Sequence, residues 1–352
     1  MDTAKPTIIV TGVSGNLGQR LLSLITDATV VGIDVAPPTG VQPHRFVPMD
    51  LGKEDSTREL YLLLRDVQPV SVVHLAFVID PQRSGVLDVD QMWQINVAGT
   101  ARVMEAISEA NRNSVATIQQ FIFPSSVAVY GSDTPAPASE DAPLRAHTLP
   151  YAIHKQESDL VVQQRAPAMR GCSVIILRPH IFAGASVENY LMGAFRGTPN
   201  GKGKRAARMR DKGKRLPCML PYGQKYSDNK IQFIHVDDMA RLIAWFLKRE
   251  PEAQRLTVLN VAGSGEPLTF GQCIQMAHAK LVRVPGMWFM RQILRLFWDL
   301  KISAIPPAAT PYMTGQYIMN TDRLKKFLGE DYRHVIQHSI SEAFADSFRK
   351  VM

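Results

Sequence analysis

The sequence predicts an α/β fold: a doubly wound parallel sheet with helices on both faces, joined to a smaller, mostly C-terminal domain. Short apolar runs alternate with helical patterns throughout the first 180 residues. These runs are rich in β-branched residues, as parallel strands that are buried on both faces usually are. Beyond Pro179 the alternation changes to longer, irregular segments, which indicate the second domain.

The alternating segments follow one another in a regular order. Strands are expected at TIIVTG, TVVGID, SVVHLA, FIFPSS and CSVIILRP, with helices at Leu17 to Ile25, around Asn96 to Ala110 and from Tyr151. Strand and helix units in this order pair their strands in parallel. Later helices are expected from Asp237 to Lys248, around Gln272 to Leu281 and from Ser339 to Arg349.

Composition restricts the class of protein. The chain has 352 residues, with 45% hydrophobic and 20% charged residues, as is ordinary for a globular protein. The first residues lack the pattern of a secretory signal. The three cysteines are far apart and odd in number, which argues against a disulfide framework or a CxxC metal site: Cys172, Cys218 and Cys273. We therefore expect a cytoplasmic protein with reduced thiols and no metal.

The positive charge is concentrated in one segment. The formal net charge is +8, and GKGKRAARMRDKGKR at residues 201–215 carries eight Lys or Arg with Asp211 as its one acidic residue. Its glycines and lack of apolar periodicity predict an exposed loop. The loop can be a solvated segment, a lid or contact for an anionic substrate, or a patch for nucleic acid or membrane. Because no aromatic residues are interleaved, we expect no nucleic-acid partner.

A second unusual segment is MWFMRQILRLFWDL at residues 287–300. It is shorter than the roughly 20 apolar residues that cross a bilayer, and Arg291, Arg295 and Asp299 interrupt it. Core packing, a wall of a substrate pocket or a partner surface is favoured, and no stable membrane insertion is expected. Its basic and Trp-containing character keeps interfacial membrane contact open.

A glycine-rich turn follows the first strand. TGVSGNLG places Gly12, Gly15 and Gly18 directly before a helical pattern. In this setting the first glycine permits a tight turn, the second lets the backbone approach a pyrophosphate, and the third allows close packing of helix on strand. Glycines also collect in ordinary turns. The strand-to-helix context favours a nucleotide-binding site.

The second strand ends in Asp34, 16 residues after Gly18. A carboxylate at this place can accept hydrogen bonds from ribose hydroxyl groups and repels a 2′-phosphate, which favours NAD over NADP. The alternative is a turn aspartate before Pro37 and Pro38.

Tyr151 and Lys155 stand four residues apart after a proline. On a helix this spacing places both side chains on one face, where an ammonium group can favour phenolate over phenol. The pair can then act in proton transfer. The alternative is an exposed tyrosine beside an exposed lysine.

Taken together, TGVSGNLG, Asp34 and YAIHK resemble the extended short-chain dehydrogenase/reductases, the NAD-dependent epimerase/dehydratase group. Further matches run almost the length of the chain: Asp50-Leu51, HLAF (74–77), NVAGT (96–100), PSSVAVYG (124–131), LRP (177–179), FIHVDDMA (233–240) and NVAG (260–263). The resemblance implies a Rossmann-type fold, NAD as cofactor and an oxidoreductase that acts on a small molecule. It also implies a homodimer formed by the helix after Asn96 and the helix that bears Tyr151.

The resemblance implies a role for each matching residue. Ser126 would bind the substrate oxygen, Tyr151 would exchange a proton with it, and Lys155 would lower the pKa of Tyr151 and hold the nicotinamide ribose. Asp50 and Leu51 would flank the adenine. The complete set of expected NAD contacts is Gly12, Gly15, Asn16, Leu17, Gly18, Asp34, Asp50, Leu51, Leu75, Ala76, Asn96, Tyr151, Lys155 and Pro179.

For Ser126 a local backbone cap is the alternative, as is a helix cap for Asn96. His180 and Ile181 are expected to contact the substrate, although a structural histidine fits His180 as well. His235, Asp237 and Asp238 are expected to form a turn and the start of a helix.

Two positions depart from the pattern that the nucleotide-sugar enzymes of this family show. Ile181 and Ile231 stand where those enzymes usually have a substrate-binding asparagine and a diphosphate-binding arginine. Burying a diphosphate beside isoleucine is costly, so a less polar secondary alcohol or ketone is favoured, as in 3β-hydroxysteroid dehydrogenase-like or dihydroflavonol reductase-like branches. A nucleotide-sugar epimerase or dehydratase and a non-catalytic NAD-binding protein are the alternatives.

The chain is expected to divide into two domains. Residues 1–180 are expected to form the NAD-binding domain, near which 231–262 packs back. Residues 181–230 and 263–352 are expected to form the substrate domain, with the basic loop at 201–215.

Overall fold

The computed structural model describes residues 5–250 and 256–349. Its strands are β1 Thr7–Thr11, β2 Thr29–Asp34, β3 Arg45–Pro48, β4 Ser71–His74, β5 Gln120–Pro124, β6 Ser173–Pro179, β7 Ile181–Ala183, β8 Cys218–Pro221, β9 Lys230–Ile231, β10 Phe233–His235, β11 Leu256–Val261, β12 Leu268–Thr269 and β13 Leu281–Val284.

The helices of the described residues are α1 Asn16–Leu24, α2 Ser56–Val67, α3 Pro81–Ser84, α4 Val89–Trp93, α5 Gly99–Arg112, α6 Pro150–Arg165, α7 Tyr190–Arg196, α8 Lys204–Asp211, α9 Lys225–Asp228, α10 Val236–Leu247, α11 Phe270–Met276, α12 Gly286–Asp299, α13 Thr310–Thr314, α14 Asp322–Leu328, α15 Tyr332–Val335 and α16 Ile340–Asp346. A π-helical turn at Gln94–Ala98 leads into α5, and a 3₁₀ turn at Val127–Tyr130 follows β5.

Seven strands form one parallel sheet in the order β11-β6-β5-β4-β1-β2-β3. The chain runs outward from β1 to β3, crosses back to β4, and continues outward on the other side. The order therefore reverses between β1 and β4, and a doubly wound sheet binds ligands beside such a switch point, at the carboxyl ends of the strands. This confirms the predicted doubly wound fold.

Both faces of the sheet are covered, because successive side chains of a strand point to opposite sides. Ile8 and Val10 of β1 pack in a core with residues of α1 and α10, whereas Ile9 packs in a core with residues of α2 and α5. Apolar residues on both faces explain why the strands appear in the sequence as continuous runs rather than as an alternation.

A third core lies in the C-terminal part of the chain, between α7, β8, α11, α12 and α16. β11, which belongs to the segment expected to pack back, pairs with β6. Leu324 and Leu328 of α14 and Val335 of α15 also pack in the core that contains α1 and α10. The division into two domains stays a prediction, as does pairing of two chains through α5 and α6.

The basic segment differs from the prediction of a loop. It contains the helix α8, Lys204–Asp211, between Gly203 and Gly213. Lys, Arg and Ala have high helix propensity, and Ala206 is completely buried, so one small contact orients the helix. A single buried alanine leaves no apolar periodicity in the sequence, which is why the helix was not predicted.

One further helix boundary depends on a tertiary contact. The helix expected around Gln272 to Leu281 ends at Met276, because Leu281 begins β13, which pairs with β8. The bulky apolar segment forms α12 as expected, with Met290 and Leu294 buried. Among the described residues, no helix combines the length and the apolar character that crossing a membrane requires.

Candidate active site

The glycine turn lies between β1 and α1, at the switch point of the sheet. Gly12 adopts φ +68°, and a Cβ atom added there would lie 2.5 Å from the backbone nitrogen of Ala76. Only glycine therefore fits between the end of β1 and the residues after β4. This close approach brings Leu75 and Ala76 against the turn.

Gly15 leaves the outer side of the turn open. It precedes α1, whose first amide groups have no side-chain cap. A methyl group at Gly15 would approach only the carbonyl oxygen of Gly12, at 3.3 Å, whereas one at Gly18 would lie 2.7 Å from the carbonyl oxygens of Gly12 and Val13. An open backbone and uncapped amides at a helix N-terminus favour an anion, so the turn fits a pyrophosphate.

The side chains beside this turn have protein partners as well. The Asn16 amide donates to the hydroxyl group and the carbonyl oxygen of Ser186, at 3.1 and 3.2 Å, which connects α1 to the segment after β7. Leu17 is partly buried against the core below α1.

Asp34 lies at the carboxyl end of β2, next to the turn. Its two carboxylate oxygens accept hydrogen bonds from the backbone amides of Ser14, at 3.0 Å, and Val35, at 2.8 Å. These bonds orient the carboxylate and leave further lone pairs for hydroxyl donors. Asp50 accepts from the amide of Gly52 at 2.9 Å, and Leu51 is buried. A ribose and a pyrophosphate can therefore be held by the residues present.

A buried hydrogen-bond chain sits under this site and was not anticipated. Thr100 donates to the Asn96 carbonyl oxygen, so its hydroxyl oxygen is left to accept from Nε2 of His74, while Nδ1 of His74 accepts from Thr11. Burial, with the nearby charge of Lys155, lowers the pKa of His74 to about 3. A neutral His74 thus connects β1, β4 and α5.

Asn96 supports the loop after β4. Its side chain accepts from the Val78 amide at 2.6 Å and donates to the Val78 carbonyl at 3.0 Å. Its backbone carbonyl also accepts from Ser158 of α6. Asn96 therefore braces the loop and α6 against each other, and its contact with NAD stays a prediction.

The helix α6 begins at Pro150, a residue favoured at the first helical position because its missing N–H has no partner there in any case. Tyr151 follows in the first turn, and Lys155 lies one turn further. The buried residues of α6 include His154, Lys155, Ser158 and Asp159. A helix that buries polar side chains shows no apolar stripe in its sequence.

Lys155 is buried in an aromatic setting. Its ammonium group donates to the carbonyl oxygen of Pro124 at 2.7 Å and lies 3.6 Å from the centroid of the Phe77 ring. Burial lowers the pKa of Lys155 to about 7, and the charge of Asp159 opposes part of this decrease.

Tyr151 differs from the expectation that Lys155 lowers its pKa. Burial raises the pKa of Tyr151, and a hydrogen bond with Ser126 opposes part of the increase. Lys155 has no such effect here because its ammonium group is directed at Pro124 and Phe77. The Phe77 ring also lies edge-on to Tyr151, with 6.0 Å between centroids.

Ser126 lies two residues after β5, at the start of the 3₁₀ turn, where it acts as the backbone cap that was the alternative interpretation. Its oxygen accepts from the Ala128 amide at 3.2 Å and so caps the 3₁₀ turn. Its hydroxyl hydrogen remains available to the Tyr151 oxygen. The structure thus brings Ser126, Tyr151 and Lys155 together at the carboxyl end of the sheet.

The LRP motif contains a buried charge whose role was missed. Arg178 of β6 bonds to both carboxylate oxygens of Asp159, to the Tyr130 hydroxyl and to the Glu140 carbonyl. The signal was present, because an arginine inside an apolar strand requires a buried acidic partner.

His180 and Ile181 follow Pro179, which is buried at the end of β6. His180 is also buried, its Nε2 bonds to the Tyr317 carbonyl, and its Nδ1 accepts from the Ile181 amide. Burial lowers the pKa of His180 to about 4. These bonds favour the structural role, and substrate contact by His180 and Ile181 stays a prediction.

Ile231, in the position expected of an arginine, lies in β9 and is completely buried in the C-terminal core. Burial raises the pKa of Tyr190, with smaller contributions from the nearby Asp80 and Tyr151. The Tyr190 hydroxyl donates to the Ile79 carbonyl at 3.1 Å. The surroundings of Tyr151 in the described residues are therefore mostly aromatic and apolar.

One trio in the described residues has metal-like spacing: His235, Asp238 and His338, with ligand atoms within 4.8 Å. Each has a protein partner. Asp238 pairs with Arg241 and His338, and His235 bonds to Asp346. His235, rather than an aspartate, caps α10 by accepting from the Asp237 amide. The absence of a metal stays an expectation.

Comparison with known proteins gives a consistent result along the chain. The model of the NAD dependent epimerase/dehydratase family matches residues 8–262. UDP-glucose 4-epimerase from Azospirillum brasilense is 29% identical over 185 residues, which are 52% of this chain and 51% of that protein. An uncharacterised epimerase/dehydratase from Staphylococcus aureus strain USA300 is 22% identical over 162 residues, 44% of this chain and 47% of that protein. The chain spans about half the length of these curated relatives.

Solved structures resemble nearly the whole chain. UDP-glucose 4-epimerase from Thermus thermophilus in complex with NAD has a TM-score of 0.67 and 19% identity, covering 98% of this chain and 100% of that one. UDP-glucuronic acid 4-epimerase from Bacillus cereus has a TM-score of 0.63 and 18% identity, covering 97% and 96%. At these identities the likeness shows the fold. The family match spans the glycine turn, Ser126, Tyr151 and Lys155, and its description names NAD, the expected cofactor. The chain belongs to the NAD dependent epimerase/dehydratase family.

Proposed function

We propose that this chain catalyses NAD-dependent oxidation and reduction at a secondary alcohol carbon, with Tyr151 as the proton-transferring residue. The observation that carries the proposal is the proximity of Ser126 to Tyr151, close enough to affect the pKa of that phenol, with Lys155 one turn further along α6. When bound, NAD supplies the hydride acceptor and donor. The residues that would hold it are those of the glycine turn, Asp34 and Lys155.

The side chains of Tyr151, Lys155 and Ser126 have different roles in the proposed reaction. Burial keeps the Tyr151 phenol protonated near neutral pH by raising its pKa, so it is ready to donate a proton to a substrate carbonyl oxygen. In the opposite direction it accepts the proton of the substrate hydroxyl, which requires a nearby positive charge to stabilise phenolate. Lys155, one turn further along α6, would supply that charge by turning its ammonium group from the Pro124 carbonyl oxygen toward Tyr151. The Ser126 hydroxyl would turn its one hydrogen from Tyr151 to the substrate oxygen and donate a hydrogen bond to it.

For the substrate we propose a nucleotide sugar, converted by epimerisation or dehydration with NAD retained between the oxidation and reduction steps. Membership of the family supports this class, as do the relatives described as UDP-glucose 4-epimerase and UDP-glucuronic acid 4-epimerase. In such a reaction Tyr151 returns the proton that it accepts, so one residue serves both half-reactions.

A second candidate is a net dehydrogenase or reductase acting on a less polar secondary alcohol or ketone. Ile231 favours it, because a completely buried isoleucine cannot pair with a diphosphate.

The two candidates differ in what happens to the cofactor. Purified protein would be denatured and its released NAD measured, and the folded protein would be mixed with a panel of UDP- and dTDP-sugars. Products would be identified by NMR while ultraviolet absorbance records NADH. A converted sugar without net NADH supports the first candidate, and stoichiometric NADH with an apolar alcohol supports the second.

Tyr151→Phe is the matched control, because it removes one oxygen atom and keeps the ring. Conversion that survives this substitution would contradict the proposed chemistry. Bound NAD without conversion of any sugar, alcohol or ketone in the panel would favour a non-catalytic NAD-binding protein.

A further inference from the structure

The outer side of α12 is apolar and uncovered. Trp288, Phe289 and Leu296 are 65%, 47% and 55% exposed, whereas Met290 and Leu294 on the inner side are buried. At about 100° per residue, Trp288, Phe289 and Leu296 fall within one third of the helix circumference. Large apolar side chains that cluster on one exposed helix face indicate an interaction surface.

The helix α8 presents positive charge. Lys204, Arg205, Arg208 and Lys212 fall on one side of this helical segment and are exposed, with no ion pair to another described residue. Arg210 points elsewhere and donates to the carbonyl oxygens of Pro199 and Gly201. The structural role of Arg210 is therefore distinct from the exposed face that the four other cations form.

The two helices are joined through their backbones. The amide of Gly201 donates to the Ile302 carbonyl at 3.0 Å, and the amide of Gly203 donates to the Lys301 carbonyl at 2.9 Å. A Cβ atom at Gly201 would overlap the Lys301 carbonyl oxygen, so this contact requires glycine. The start of α8 is thus fixed against the end of α12.

We propose that these helices form a peripheral docking surface for an anionic lipid bilayer. This α8–α12 surface consists of Lys204, Arg205 and Arg208 of α8, Lys212 directly after it, and Trp288, Phe289 and Leu296 of α12. Aromatic and aliphatic side chains on one element enter the headgroup region, and neighbouring Lys and Arg bind anionic headgroups. Arg291 and Arg295, exposed on α12, add to the charge, and Asp211 and Asp299 are the acidic residues of the two helices.

A bilayer fits these observations better than a nucleic acid does. Binding of single strands combines cations with aromatic rings interleaved among them, and α8 contains no aromatic residue. The exposed rings lie instead on a separate helix beside an exposed leucine, which has no stacking function. The inference is independent of the reaction proposed above, because Trp288, Arg205 and Arg208 have no contact with Tyr151 or the glycine turn among the described hydrogen bonds and ring contacts.

Vesicle co-sedimentation of the full chain tests this inference. Vesicles of phosphatidylcholine alone would be compared with vesicles containing phosphatidylserine at about 30%, an anionic surface of the kind that attracts basic segments. The charge variant is Arg205→Glu with Arg208→Glu, matched by Arg58→Glu with Lys326→Glu at exposed positions outside this surface. The apolar variant is Trp288→Ser with Phe289→Ser, matched by Leu62→Ser with Leu87→Ser.

The expected result is binding to the anionic vesicles that weakens with salt, and at least about tenfold weaker binding for the charge variant. The apolar variant should also bind more weakly and lose the quenching of tryptophan fluorescence by brominated lipids, while both matched controls bind as the unmodified chain does. Circular dichroism and bound NAD verify that each variant is folded.

Three outcomes would overturn the proposal. The first is that the chain does not bind anionic vesicles. The second is that it binds them and neither variant weakens the binding. The third is that the chain binds single-stranded DNA instead of vesicles, and that the charge variant abolishes this DNA binding.

Discussion

Arg178 and Asp159 form a buried ion pair in which Nε and Nη2 of the arginine each bond to one carboxylate oxygen, at 2.8 and 2.9 Å. The pair connects β6, the strand next to the edge strand β11, to α6, which carries Tyr151 and Lys155. The proximity of Asp159 raises the pKa of Arg178, and Asp159 also opposes the decrease in the pKa of Lys155. A structural ion pair thereby influences the electrostatics of the candidate site.

Asp159→Asn is expected to lower the free energy of unfolding by roughly 3 to 5 kcal/mol, because it leaves the Arg178 charge buried without an anion. Urea denaturation would measure the change. The matched control is Glu105→Gln, which removes the partly exposed pair of Glu105 with Arg165 and should cost less than about 1 kcal/mol. If the two substitutions lowered the free energy of unfolding equally, the buried ion pair would not have the predicted effect on stability.

Lys155→Met is expected to stabilise the NAD-free protein at low pH. The pKa of Lys155 is lowered from 10.5 to about 7 in the folded protein. Between these values the unfolded chain binds one more proton than the folded chain, so the stability of the unmodified protein rises with pH, by up to about 1.4 kcal/mol per pH unit. Below pH 7 the full cost of burying the charge remains.

The advantage of Lys155→Met should therefore be greatest near or below the folded-state pKa of about 7 and shrink as the pH rises toward 10.5. Urea denaturation at several pH values would measure it, with the exposed Lys326→Met as control. A difference in stability that is constant over this range would show that Lys155 titrates normally.

Tyr151→Phe is expected to reduce turnover by about 10²- to 10⁴-fold, the usual contribution of a general acid or base. Ser126→Ala should reduce it by about 10²- to 10³-fold, because one hydrogen bond to the developing charge is lost. Both variants should retain NAD, which is measured in the denatured supernatant. Tyr61→Phe, remote from the site, is the control, and similar activity of all three variants would exclude the assigned roles.

Two glycines of the same turn should respond differently to alanine. Gly12→Ala places a Cβ atom 2.5 Å from the Ala76 backbone at positive φ, so we expect a protein destabilised by several kcal/mol or insoluble. Gly15→Ala meets only one oxygen at 3.3 Å and should fold. Its methyl group faces the open side of the turn, so NAD affinity should fall at least about tenfold. Calorimetric titration with NAD would distinguish the two variants. An unchanged NAD affinity of Gly15→Ala would show that the pyrophosphate binds elsewhere.

Asp34→Ala is expected to narrow the preference for NAD over NADP. The carboxylate is held by the Ser14 and Val35 amides and repels a 2′-phosphate. Removing it should weaken NAD binding by about 1 to 3 kcal/mol, since hydrogen bonds to a charged acceptor are lost. The affinities for NAD and NADP would be compared by titration, with Asp27→Ala as control. An unchanged ratio of the NAD and NADP affinities would show that Asp34 stabilises only the turn and does not contact the cofactor.

Local sequence determined the sheet, the glycine turn and the position of Tyr151 and Lys155 on one helix. β-branched runs, the steric freedom of glycine and the period of the helix act between residues that are close in the chain, so they can be recognised without a structure. Ser126 was placed with Tyr151 by the family resemblance and not by these local patterns.

Only the tertiary structure decided the electrostatics of the site. Lys155 is directed at Pro124 and Phe77, which are distant in sequence, and burial rather than Lys155 governs the pKa of Tyr151. The partner of Arg178 and the helix α8 on its single buried alanine also depend on distant contacts. Desolvation is set by all the atoms that surround a group, whatever their position in the chain, and the order of residues alone does not contain that sum.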